Sequence, residues 1–249
     1  MWQKLETSFA LANAKFKLKN EGSYLGLIWY LLNPIIIFLF LIAIFTNNLG
    51  SKIPNYAAYL FLGIILFNLF QFVTSSSMKV IWGNISLIKS MKIRISTLVQ
   101  SEIILATYSH LFDLVLLIII LFFTDSLNWS FLFYPFVLIL FLIFLYGLSL
   151  GIAVITIYFA DLENIWAFLV RILFFATPIF YQTNPLSVIN YVNLINPLFF
   201  FVTFARDIIL LGKLPEMFII LGTFGYTFLS LILGLFILNK LKRKVPEKI

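Results

Sequence analysis

Six apolar runs, each long enough to cross a bilayer, leave this chain few ways to fold. They fall at about 26–46, 57–76, 96–123, 131–159, 164–181 and 216–239, and one helical crossing needs about 20 such residues. Charged residues make up 11% of the 249 positions, where a soluble domain carries about 25%. The mean hydropathy is +1.07. Lipid offers backbone groups no partners, so spanning segments of this length must be helical. The expected fold is therefore an all-α integral membrane protein with six transmembrane helices in a single domain over residues 1–249. There is no cysteine and only one histidine, His110. Thiol chemistry and Cys-ligated metals are excluded, and a histidine metal centre is not expected.

Basic residues set the topology. Lys4, Lys15, Lys17 and Lys19 precede the first run, and Lys79, Lys89, Lys92 and Arg94 lie between the second and third. The tail adds Lys240, Lys242, Arg243, Lys244 and Lys248, whereas the opposite side holds only Lys52, Arg206 and Lys213. Positive loops stay inside, so both termini are expected in the cytoplasm. The net charge of +7 is then a topology signal, and no nucleic-acid partner is expected.

Three segments outside the spans carry pattern. In residues 1–24, Trp2, Leu5, Phe9, Ala12 and Phe16 recur every three or four positions with Lys4, Lys15 and Lys19 on other faces. That is the signature of a helix lying at the membrane surface, or of a basic leader before the first span. In residues 77–94, Met78, Ile81, Ile85 and Ile88 keep helical spacing, with Ser75 to Ser77 as candidate caps. Its apolar face suits lipid or another protein. Residues 182–215 are interrupted by Pro185, Pro197 and Pro215, and their apolar runs are too short to cross. They read as a re-entrant helical hairpin, or as an external loop with one surface helix.

There is no phosphate-binding loop and no hydrolase or dinucleotide fingerprint, so any ATP must be bound by another chain. Glu102, His110, Asp113 and Arg171 fall within spans, where ionisable groups mark function or a buried pair. Glu102 and Arg171 sit at similar depth, about eight residues from Arg94 and Glu163 respectively. They read as an ion pair joining spans three and five, with a polar pathway or a proton relay as the alternatives. Gly147 and Gly151, with Ser230 and Gly234, permit close helix approach, within or between subunits.

The segment FKLKNEGSYLGLIWYLLNP (16–34) resembles the start of type-2 ABC exporter permeases for polysaccharides such as O-antigen, capsule and teichoic acid. YLFLGIILFNLFQ (59–71), NISLIKSMKI (84–93), FADLENIWAFLVRILFFATPIFY (159–181) and LINPLFFFVTFARD (194–207) look like later parts of that family, in order. Two positions depart from its pattern: Ala160 stands where an Arg is frequent, and Arg171 where an uncharged residue is usual.

The resemblance implies a homodimer in the cytoplasmic (inner) membrane, bound to two nucleotide-binding ATPase subunits that hold ATP and Mg. Such a complex would move a lipid-linked glycan outward. By the same analogy an ATPase would dock on Lys15, Lys17, Glu21, Ile81, Trp82, Ile85, Ile88 and Lys89. A glycan path between subunits would be lined by Tyr24, Trp29, Tyr30, Trp166, Phe180 and Tyr181, with Asn33 and Asn196 as polar contacts. The same rings also suit interface anchoring. Pro178 would bend span five and free a carbonyl toward the path. Competing readings are an exporter of drugs, peptides or lipids, and a membrane enzyme acting on polyprenyl-linked sugars.

Overall fold

The computed structural model describes residues 2–21, 28–47, 50, 53–182 and 188–241, and every regular element among them is helical. The order is α1 (Trp2–Asn20), α2 (Ile28–Phe45), α3 (Tyr56–Lys79), α4 (Ile85–Met91), α5 (Ile95–Phe123), α6 (Tyr134–Tyr158), α7 (Leu162–Ala176), α8 (Val188–Ile195), α9 (Pro197–Ile209) and α10 (Met217–Leu241). Short 3₁₀ turns at Trp82–Asn84 and Trp129–Phe133 lead into α4 and α6. Five segments are long and apolar enough to cross a membrane: α2, α3, α5, α6 with its leading turn, and α10. The expected fifth span is shorter than its apolar run, because α7 has only 15 residues. Pro178 has no N–H and disfavours helical backbone at the residue before it. Thr177 is accordingly extended, at φ −86° and ψ 137°.

α3 is the central post. Its span window is 72% buried against 11% for α2, and Phe61, Leu62, Ile64, Ile65 and Leu66 are all but sealed. α2, α5, α6, α7 and α9 pack around it. The most extensive pairing is α6 with α10. There Gly147 and Gly234 bring the two backbones together: a Cβ on Gly234 would fall on the Gly147 carbonyl, and one on Gly147 would meet the Ser230–Leu231 backbone. Ser230 adds a hydrogen bond to the Phe144 carbonyl at 3.1 Å. These small-residue motifs thus serve packing within one subunit.

α1 lies against α5, and its inward face differs from the apolar one read in the sequence. Ser8 and Ala12 are fully buried, whereas Leu5 and Phe9 are exposed. Small side chains let α1 approach closely enough for Ser8 to reach the Thr97 carbonyl at 3.2 Å. The side chains of Trp2 and Lys4 lie outside the described residues.

The segment at 77–94 is also rearranged. α3 runs on to Lys79, so Ser75 to Ser77 are interior rather than caps, and Ser76 bonds back to the Val73 carbonyl at 3.2 Å. Met78, Val80 and Ile81 turn into the core. What remains is the seven-residue α4. Residues 182–215 hold two short helices, α8 and α9, broken at Asn196–Pro197. Asn196 caps α9 by accepting from the Leu198 N–H at 3.0 Å, and Pro197 takes the first helical turn where no donor is needed.

Candidate functional site

α3 exposes one narrow stripe, toward its α4 end. Asn68, Gln71, Phe72, Ser75, Ser76 and Lys79 retain accessibility while almost every other position beyond Tyr59 is buried. The spacing of three and four puts them on one face. Polar side chains on a spanning helix are costly against lipid and belong on a cavity. They form the floor of a cavity of about 540 Å³. α2 supplies Tyr30, Asn33, Pro34 and Ile37 to its wall, α5 supplies Ala106, Ser109, His110 and Asp113, and α1 supplies Lys19. Pro34 sits inside α2, where it cannot donate to the Tyr30 carbonyl four residues back.

Two lysines stand at the rim. The Lys19 ammonium lies over the Tyr30 and Phe72 rings, 4.8 and 4.7 Å from their centroids. Its partial desolvation there pulls its pKa below the usual lysine value, with the Glu102 charge acting the other way. Lys79 pairs with Glu163 of α7 at 2.7 Å. Deeper in, His110 Nε2 lies 2.7 Å from the Tyr134 hydroxyl, and its Nδ1 is 3.5 Å from Asp113. Side-chain amides, hydroxyls, ring faces and two cations make this a surface for binding polar, hydroxyl-rich molecules. Among the described residues no three His, Cys, Asp or Glu side chains group to hold a metal ion.

The expected Glu102–Arg171 pair is not formed. Glu102 is buried and takes its partner from α1, in a short ion pair with Lys15. Arg171 is exposed on α7. Equal depth along two helices says nothing about which way each side chain points, and α1 packs directly on α5 where α7 does not. Lys15 is thereby tied up and only 24% exposed, which removes it from a docking surface. Ile81 is likewise removed, being fully buried in the core. Trp82 and Lys89 are exposed, Ile85 and Ile88 are half-buried, and Lys17 pairs with Glu21 at 3.7 Å on the surface.

Of the pathway residues, Tyr30 and Asn33 do meet at the cavity, with Tyr30 stacked between Phe16 and Phe112. Trp29 is 47% exposed on α2, and Tyr24 lies outside the described residues. Trp166 faces α3, its indole N–H donating to Thr74 at 3.1 Å. Phe180 stacks on Phe45 at 4.8 Å, and the Tyr181 hydroxyl donates to the Ala176 carbonyl at 3.0 Å. Asn196 is 4% exposed and fully engaged as the α9 cap and as a donor to Thr177 at 2.9 Å, so it is not a pathway contact.

The carbonyls at the Pro178 break serve structure. Arg206, buried on α9, donates to the carbonyls of Pro178, Ile179 and Tyr59 and lies 3.4 Å from the Tyr59 ring centroid. Sequence reading treats Arg206 as a plain external charge, takes Ser75 and Ser76 only as candidate caps, and assigns no role to Asn68 or Gln71. Their spacing was the available signal, hidden within an apolar run.

Comparison with known proteins agrees with this architecture. Two O-antigen export system permease proteins, both named RfbA and both from Klebsiella pneumoniae, are each 26% identical over 95% of the chain and 92% of their own length. One of the same name from Myxococcus xanthus is 25% identical over 83% of the chain and 81% of its length. The ABC-2 type transporter family matches residues 7–210, so with most of the chain covered this protein is a member of the ABC-2 type transporter family.

Proposed function

We propose that this chain is the membrane-spanning subunit of an ATP-driven exporter that carries a lipid-linked polysaccharide, of O-antigen, capsule or teichoic acid type, outward across the cytoplasmic membrane. The observation that carries the reading is the polar floor of α3 at membrane depth, in a chain matching O-antigen export permeases over nearly its whole length. Amides, hydroxyls and rings bind sugar units without demanding one orientation, as a sliding polymer requires. The working assembly is a homodimer with two ATPase subunits, which bind ATP and Mg. In this reading residues 1–249 form one permease domain with both termini cytoplasmic, and α7 with the extended segment after it counts as the fifth of six crossings. α1 rests at the membrane surface, the α8–α9 pair is a re-entrant external hairpin, and α4 with Trp82 and Lys89 receives the ATPase.

Deleting this permease alone should leave glycan inside the cell, and restoring the gene should return it to the surface. A deletion strain with unchanged surface glycan overturns the assignment. Trp82→Glu should reduce co-purification of the ATPase several-fold while the permease stays inserted; full co-purification removes α4 from the docking surface.

A further inference from the structure

Arg171 is the only basic residue of α7. It is exposed, and among the described residues it makes no hydrogen bond, ion pair or ring contact. It lies nine residues beyond Leu162, about 14 Å along the helix at 1.5 Å per residue. A charge at that depth is costly against lipid and must face water or a polar surface.

The neighbours on its own helix say which. Arg171 shares a face with Glu163, Ala167 and Phe174, at spacings of four, four and three. Glu163 reaches Lys79 on the polar stripe of α3. Phe174 lies 5.1 Å from Phe67 of α3 and 6.3 Å from Phe180, which stacks on Phe45 of α2. Both ends of this face therefore meet one row of α3, Phe67, Gln71, Ser75 and Lys79, spaced by four residues, of which Gln71, Ser75 and Lys79 belong to the polar stripe.

We infer that Arg171 sets the charge preference of a glycan path along this row and selects a glycan bearing carboxylate or phosphodiester groups. This rests on the exporter reading above. A planar guanidinium offers paired donors that match a carboxylate or phosphate. No acid of the described residues occupies it, so its binding capacity is not spent within the subunit. The amides and hydroxyls of the floor treat any sugar alike, which leaves Arg171 to distinguish acidic from neutral repeats.

Two measurements test this. The chain has no cysteine, so Arg171→Cys carries the only thiol in the permease. In membranes containing the assembled transporter, that thiol should react with a membrane-impermeant methanethiosulfonate. Reaction with an apolar maleimide alone would put the position against lipid or a dimer seam and overturn the proposal. In proteoliposomes with the partner ATPase, polyprenyl diphosphate-linked oligomers of glucuronic acid and of glucose serve as probes. Wild type should favour the acidic oligomer, and Arg171→Gln should lower the acidic-to-neutral transport ratio about tenfold, the order expected for one charged hydrogen bond. Arg171→Lys, which keeps the charge, should restore most of the ratio. Equal rates for the two oligomers in wild type, or an unchanged ratio in Arg171→Gln, overturn this inference alone. Wild type that moves neither oligomer overturns the exporter reading and this inference with it.

Discussion

The α6–α10 and α3–α7 pairs are both contacts between apolar helices, yet they are built from opposite materials. In the first, glycines remove side chains until backbone meets backbone. In the second, large and polar side chains bridge the gap: Phe67 against Phe174, Trp166 to Thr74, Lys79 to Glu163. α7 buries only Val170. Without a hydrophobic force between helices in lipid, close packing supplies most of the adhesion. The α6–α10 seam therefore makes a rigid unit, while α7 is held at a few points and at its far end by Arg206. A part that must yield to a passing polymer is expected to be of the second kind.

The sharpest way to break this contrast is at the seam. Gly234→Leu would force a side chain into the Gly147 carbonyl, with backbone unable to give way, and should cost about 3 kcal/mol or more. Most of the extracted protein should then aggregate in gel filtration. A monodisperse Gly234→Leu protein with normal melting would refute the close seam.

Arg206→Gln comes next. It strands carbonyls of Tyr59, Pro178 and Ile179 in a buried place and should cost about 3 kcal/mol in thermal melting. Arg206→Lys should recover less than half of that, because an ammonium lacks the planar fork that spans the three acceptors. Full rescue by lysine would mean that charge alone matters there.

A third test concerns the charge pair that joins α1 to α5. A double-mutant cycle of Lys15→Met with Glu102→Gln should show a coupling of about 1–2 kcal/mol, and the same cycle of Glu102 with Arg171 about none. Coupling to Arg171 would attach α7 to α5 and undo its description as loosely held.

The smallest effects belong to the α3–α7 bridge. Trp166→Phe removes one hydrogen bond and should cost about 1 kcal/mol. Glu163→Gln should cost about 0.5 kcal/mol or less, since Lys79 and Glu163 are 69% and 43% exposed and such pairs contribute little. Losses as large as those at Gly234 would show that α7 is clamped as firmly as α10.

Hydropathy located the α2, α3, α5, α6 and α10 segments to within a few residues, and the proline breaks marked the α8–α9 pair. Other features were invisible for identifiable reasons. Ile81 keeps perfect amphipathic spacing with Ile85, but α3 runs past Ser77 and the turn after it swings Ile81 inward. The run through Tyr181 is apolar enough to span, yet Pro178 ends the helix at Ala176. The stripe from Asn68 to Lys79 obeys helical spacing, but its four small polar side chains are outweighed by the surrounding Phe, Leu and Ile. Gly147 and Gly234 were legible as sites of close approach, though not as each other's partners.

What the sequence by itself determined are properties of one segment against its solvent: which stretches can lie in lipid, where helices can begin and stop, and where positive charge gathers. Which helix meets which, and so which charge finds a partner, only the tertiary structure decided. Glu102 could be placed in depth from its distance to Arg94. Its direction around α5 meant nothing until α1, brought close by Ser8 and Ala12, put Lys15 beside it. Depth is set by the bilayer and is readable from hydropathy. Azimuth is set by packing among many nearly equivalent apolar faces, where a few small residues and one buried charge choose the neighbour.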